Sequence, residues 1–254
     1  MGRVKHVVSR HYGVTQIAIA LTGLESYELL RRALRPNWPL ALAHAREILS
    51  LERMTDLSWE QPLQHAFLAY PRLIEAMNVF YIVGHFLITT IFFCWLYRRS
   101  RPAFARFRNG FLAATAIAIL IHWQFPTAPP RLAGIGLVDT LRKFSNINIG
   151  SPASSPFSDP VAAVPSLHAG WALGVGIGLV LYARPLVWKV IGALYPFAVV
   201  LTIVVTGNHF VFDAIAGMAV LGLGFAAAAL PAKVVAGKLP VRRGVEQSGS
   251  SPGS

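Results

Sequence analysis

The sequence predicts an all-α, polytopic membrane protein of about six transmembrane helices, with one amphipathic helix outside the cytoplasm. Three observations lead there. The 254 residues are 54% hydrophobic and 13% charged, and the mean hydropathy is +0.52. Several segments approach the roughly 20 apolar residues that cross a bilayer. The basic residues crowd onto alternate connections between those segments, the pattern of cytoplasmic loops.

The predicted spans are 14–30, 75–97, 109–125, 167–183, 187–206 and 210–230. Glu25 and Glu28 interrupt the first of them. No cleavable signal stands out, because the apolar run 14–20 is short and no small-residue cleavage pattern follows it. Residues 1–13 read as a cytoplasmic N-terminus, 14–232 as one membrane domain and 233–254 as a cytoplasmic tail whose Ser/Gly end has no core-forming residues. With both termini in the cytoplasm, fourteen Lys and Arg residues fall on that side against the single acid Glu246. The formal charge of +12 is therefore a topology signal. Nucleic-acid binding is not expected, since no basic stripe is interleaved with exposed aromatics. Cys94 is the one cysteine, which excludes an internal disulfide or a multi-cysteine metal site.

Three segments then lie outside the cytoplasm: 31–74, 126–166 and 207–209. In the first, Leu40, Ala41, Ala45, Ile48, Leu49 and Leu51 share one half of a helical wheel, opposite Arg46, Glu47, Ser50 and Arg53. Such a helix either lies on the bilayer surface or caps the bundle. The second is long for a connection and rich in Pro, Ser and Gly, as functional loops often are.

The chemistry concentrates in two places on this same face. His209 and Asp213 are four residues apart at the head of a helix, so a carboxylate can accept one imidazole N–H and leave the other nitrogen free to attack. That pairs a nucleophile with its orienting group. Pro165 and Ser166 open another helix, where exposed N–H groups and a hydroxyl favour an anion. His168 follows within the first turn and can serve as general acid, an effect of roughly 10²–10⁴ in rate. Arg131, on the stiff lead Pro129-Pro130, offers a guanidinium suited to phosphate. Together these point to phosphoryl transfer through a phosphohistidine.

At these residues the chain resembles the type 2 phosphatidic acid phosphatase superfamily, through Pro165-Ser166-Leu167-His168 and the His209 to Asp213 spacing. Ala128-Pro129-Pro130-Arg131, Gly207-Asn208-His209 and the Asn78, Tyr81, His85 stripe are similar to the inositol-phosphotransferase-like branch that contains fungal inositol phosphorylceramide synthase. The resemblance implies a six-helix fold and a metal-independent phosphoenzyme mechanism with no cofactor. It implies nucleophile His209, acid His168 and orienter Asp213, with Arg131 and Ser166 binding phosphate. Two departures stand out: the lysine that usually precedes the superfamily's Arg-Pro pair is missing, and Ile203 occupies the position of an arginine.

Asn78, Tyr81 and His85 share one helix face, which in a membrane must turn inward. They read either as substrate or acceptor contacts or as a hydrogen-bonded core. His122 and Trp123 read as interfacial anchors, His44 and His65 as surface residues, and Gly170, Gly174 and Gly178 as packing positions. The expected substrate is a lipid-linked phosphate among membrane lipids of the cell membrane, handled at the extracytoplasmic face, with a polyol or water as acceptor. Two other classes stay open: a metal-dependent hydrolase using His168, His209 and Asp213, and a transporter or scaffold. The first lacks the tight His-x-x-x-His pair, and the second lacks an internal repeat.

Overall fold

The computed structural model describes residues 37–145 and 161–230. The predicted span 14–30, the 151–159 part of the long connection and the tail 233–254 lie outside the described residues. Among the described residues all regular structure is helical, and the only strand-like feature is a single parallel bridge between Thr127 and Ala162.

Helix α1 (Trp38–Met54) starts where Asn37 accepts the Leu40 N–H at 3.1 Å, with a proline in its first turn. Helix α2 (Glu60–Phe67) follows after a short turn. A long apolar helix then runs from Pro71 to Arg99 as α3 (Pro71–Val79), a π turn over Phe80–Gly84, and α4 (His85–Arg99). Ser100 ends it and caps α5 (Arg101–Gln124), accepting the Ala103 N–H at 3.3 Å. A cap of this kind contributes about 1 kcal/mol. After a 3₁₀ turn at Pro130–Leu132 and the short α6 (Thr140–Ser145) come α7 (Leu167–Tyr182), α8 (Leu186–Val205) and α9 (Val211–Ala229).

Four of these units are long and apolar enough to cross a membrane, and α7 is a shorter apolar helix. They coincide with five of the six predicted spans. Their outer faces carry large apolar side chains, such as Leu194 and Phe197 on α8, as lipid-facing helices require. Inside, Phe92, Leu96, Phe107, Phe111, Val175, Val199 and Leu221 form the core. Lipid tails are as apolar as these side chains, so close packing must hold the helices together. Glycines supply it: a Cβ on Gly170 would meet the Gly217 carbonyl oxygen at 2.7 Å, and one on Gly176 would meet the Gly192 oxygen at 2.5 Å. Gly174 and Gly178 instead receive the rings of Phe111 and Phe92.

Helix α1 caps the bundle. Its Ala41, Ala45 and Ile48 are buried against Ala128, Ala133, Val161, Val164 and Phe210 from the connecting segments. The buried stripe continues one turn further to Glu52, which is fully buried, while Leu40 and Leu51 point outward. His44 is not a free surface group: its ring stacks on Phe125 at 3.8 Å, and Nδ1 lies 2.7 Å from the Pro126 oxygen.

Helix directions sort the polar residues to two ends. The C-terminus of α5, the N-termini of α7 and α9 and the C-terminus of α8 meet at one end, joined there by His122 Nε2 to the Pro165 oxygen (3.1 Å) and Ser166 N–H to the Asp213 oxygen (2.9 Å). Arg98, Arg99, Arg101, Arg184 and Lys189 gather at the other.

Candidate active site

The turn between α8 and α9 creates the centre of the site. Thr206 closes α8, Gly207 takes a left-handed conformation (φ 69°), and Phe210 begins α9. A left-handed residue costs glycine nothing, and here it lets the chain reverse beside Arg131, whose Cβ would lie 3.1 Å from any side chain at 207. The reversal presents His209, which is 5% exposed, to the interior of the helix ends.

His209 Nδ1 has two oxygen neighbours, the Ala163 carbonyl at 2.9 Å and Asp213 Oδ2 at 3.3 Å. A carbonyl can only accept, so Nδ1 carries the proton and Nε2 keeps its lone pair. Burial pulls the His209 imidazole down to about 4; the Arg131 charge adds to this and the Ala163 hydrogen bond opposes it. The ring is consequently neutral near pH 7, the form in which it is nucleophilic.

Asp213 ties this turn together. Its Oδ2 also accepts the Phe210 N–H at 2.8 Å, and its main-chain oxygen accepts the Ser166 N–H at 2.9 Å. The two histidine-bearing segments are therefore bonded to each other directly. Gly217 permits it, because a Cβ there would stand 2.0 Å from the Ser166 oxygen. Ser166 itself is buried and caps α7, its hydroxyl accepting the Ala169 N–H at 3.4 Å.

His168 lies beside these groups, its ring centroid 5.7 Å from that of His209. Tyr81 stacks on it at 4.5 Å, and His85 is 5.1 Å away. The π turn brings both in: the His85 N–H reaches back five residues to the Phe80 oxygen, and such wide turns recur at functional sites. His85 Nδ1 pairs with the Tyr195 hydroxyl at 2.9 Å. The buried Nε2 atoms of His85 and His168 and Nε1 of Trp171 have no partner among the described residues, although Trp171 and His85 rings are 6.5 Å apart. Unsatisfied buried polar atoms are costly, and those of His85 and His168 belong to neighbouring rings.

Arg131 is fixed from three directions. Its N–H donates to the Gly207 oxygen (2.9 Å), Nε to Asn208 Oδ1 (2.9 Å) and Nη1 to Asp139 Oδ2 (3.0 Å). The structure thus gathers His209, His168, Asp213, Ser166, Arg131, Tyr81 and His85. Asn78 stands apart. Its amide donates to the Thr140 oxygen (2.9 Å) and Ser145 Oγ (2.8 Å) and accepts from Thr140 Oγ1 (3.0 Å), holding α6 against α3.

Several contributors carry no side-chain signature or lie far off in the chain. The Ala163 carbonyl is aimed by main-chain pairing with Thr127, whose oxygen accepts the Ala163 N–H at 3.1 Å. Glu52 Oε1 accepts the Phe212 N–H at 2.7 Å, and Glu60 Oε1 accepts the Val211 N–H at 2.8 Å. Gln64 bridges Val138, through both its N–H and its oxygen, to the Val205 oxygen at 3.1 Å. Glu52 had one legible sign: an acid in the same helical register as the apolar Ala41, Ala45 and Ile48. Among the described residues, no three His, Cys, Asp or Glu side chains are grouped to hold a metal ion.

A comparison with curated proteins finds no match. Among solved structures, the crystal structure of Aquifex aeolicus LpxE is similar at 19% identity and a TM-score of 0.44, over 63% of this chain and 93% of that one. The family model of the PAP2 superfamily matches residues 46–227, well over half of the sequence and every site residue named above. The chain belongs to the PAP2 superfamily, as an integral membrane protein.

Proposed function

We propose that the protein transfers the phosphoryl group of a lipid-linked phosphate through a phosphohistidine on His209, at the extracytoplasmic face of the cell membrane. The observation that carries the reading is the pair of acceptors on His209 Nδ1, which leaves Nε2 as a neutral nucleophile. In the first step the Nε2 lone pair forms a bond to phosphorus, and the ester P–O bond breaks. The departing alkoxide takes its proton from His168. In the second step His168, now neutral, accepts the proton of an incoming hydroxyl, which attacks phosphorus and releases His209. Arg131 and Ser166 balance the charge of the phosphoryl oxygens.

The side of the membrane is supported by charge: the arginines of α4 and α5 lie at the end away from the histidines, as cytoplasmic ends do. For the acceptor we favour a polyol or another hydroxylated molecule, as in the inositol-phosphotransferase-like branch, over water. Tyr81 and His85 lie against the His168 ring, and a hydroxyl-rich acceptor suits side chains that carry a hydroxyl and a ring nitrogen. Purified enzyme given labelled phospholipid with inositol, glycerol or water alone, with and without EDTA, tests all of this. The expected result is an EDTA-insensitive transfer product formed in competition with free phosphate. Phosphate as the sole product across a broad alcohol panel would leave a phosphatase, and activity lost in EDTA and restored by zinc would overturn the metal-free mechanism.

A further inference from the structure

Glu52 and Glu60 have no place in the chemistry above, yet both are fully or almost fully buried. An isolated buried carboxylate is costly unless hydrogen-bonded. These two reach across 160 and 151 residues of sequence to the same object, the N-terminus of α9. The first N–H groups of a helix have no partner within it. Here Phe210 N–H goes to Asp213, Val211 N–H to Glu60 and Phe212 N–H to Glu52, each at 2.7–2.8 Å. The end of α9 is thereby closed by carboxyl oxygens of the chain itself, directly beside His209.

We propose that Glu52 and Glu60 are a positioning pair for the reaction: through the main chain of Val211 and Phe212 they hold the α9 terminus, and with it the His209 and Asp213 side chains, in the attacking geometry. Gln64, one turn after Glu60, pins the end of α8 on the other flank of the same reversal. Helices α1 and α2 therefore grip both sides of the turn that bears the nucleophile. A displacement of about 1 Å in a reacting group can cost about 10²-fold in rate, so a brace two residues from the nucleophile controls turnover more than substrate capture. Burial pushes the Glu52 carboxyl up to about 8, and the neighbouring Glu60 and Asp213 charges add to it. A neutral Glu52 accepts through its carbonyl oxygen, which an amide can imitate.

The inference rests on the proposed role of His209, and the test separates the two. Glu60→Gln keeps an acceptor at full reach without charge, whereas Glu60→Asp keeps charge but falls short by one methylene. Short-chain phosphatidic acid turnover would be measured on each variant purified in detergent as a monodisperse, helical protein, with Glu52→Gln and Glu52→Ala alongside. Positioning predicts Glu60→Gln and Glu52→Gln within about 3-fold of the parent. It predicts that Glu60→Asp loses at least about 10-fold in kcat, with KM changed less than about 3-fold, and that Glu52→Ala behaves likewise if it folds. If Glu60→Asp is at least as active as Glu60→Gln, or if the loss falls on KM, the pair is not a positioning device. Should His209→Ala keep full turnover, the fault lies instead with the proposed nucleophile.

Discussion

The Ala163 carbonyl lies 2.9 Å from His209 Nδ1, nearer than the Asp213 carboxylate at 3.3 Å. One ring proton is thus held by two oxygens of different kinds, one from the main chain and one from a side chain that also anchors Phe210.

Shared custody of that proton sets the expected order of the mutants. His209→Ala removes the nucleophile and should abolish turnover. Asp213→Asn leaves the Ala163 carbonyl in place to fix the tautomer, so kcat should fall by about 10- to 100-fold, less than the roughly 10⁴-fold seen where one carboxylate alone orients a catalytic histidine. Single-turnover assays on folded protein would measure both. Normal turnover by a folded His209→Ala protein would remove His209 from the mechanism.

The pH profile follows from the burial of His209. Its neutral form is the reactive one, and its value is lowered from 6.5 to about 4. As pH falls, the reactive form is lost only near 4, whereas a solvent-exposed imidazole would lose it near 6.5. After correction for the substrate's own ionisation, kcat/KM should have its histidine limb well below pH 6. A limb at 6.5 would mean that His209 is solvated in the working enzyme.

Sidedness is open to direct labelling. In a Cys94→Ser background, a cysteine at exposed Arg53 on α1 or within 151–159 should react with an impermeant maleimide in intact cells. A cysteine at exposed Arg106, at the other end of α5, should react only after permeabilisation. The reverse pattern would put the histidines in the cytoplasm.

Gly217 gives a packing test with an internal control. Gly217→Ala places a methyl 2.0 Å from the Ser166 oxygen, a main-chain atom that cannot rotate away, whereas a Cβ on Gly222 in the same helix meets nothing within 4 Å. Overpacking of this kind costs about 1–3 kcal/mol. Gly217→Ala should lower the thermal midpoint in detergent and weaken activity, and Gly222→Ala should hold or raise it. Equal behaviour of the two would show that α7 and α9 are not in contact at Ser166.

Five of the six predicted spans were legible because an apolar run of membrane length has few alternatives in water. That His168, His209 and Asp213 come together was legible because both segments are local, five residues or fewer in extent. The brace was not. Glu52, Glu60 and Gln64 act on residues more than 140 positions away, and nothing in a local pattern indicates which helix end a buried carboxyl will meet. Ala163 acts through a carbonyl that every residue possesses, so its role is set by pairing with Thr127 and by no property of alanine. Asn78 shows the converse: the helical spacing with Tyr81 and His85 was real, but its amide is engaged by α6. Spacing fixes a face of a helix and does not say which neighbour will occupy it.

The π turn at Phe80–Gly84 holds one residue more than a regular helix would over the same hydrogen-bonded loop. Each residue of an α-helix advances the azimuth by about 100°. Excising a single residue such as Val83 would close this loop to an ordinary α-helical turn with His85 still bonded to the Phe80 oxygen, whereas excising Val79, outside it, would swing α3 by that angle relative to His85. In the second case the protein would still be apolar enough to enter a bilayer, but Asn78 would leave Thr140 and Ser145. This helix therefore carries a length constraint that is independent of its composition: membrane insertion tolerates one residue more or less, and the assembled interior tolerates it only within the wide turn.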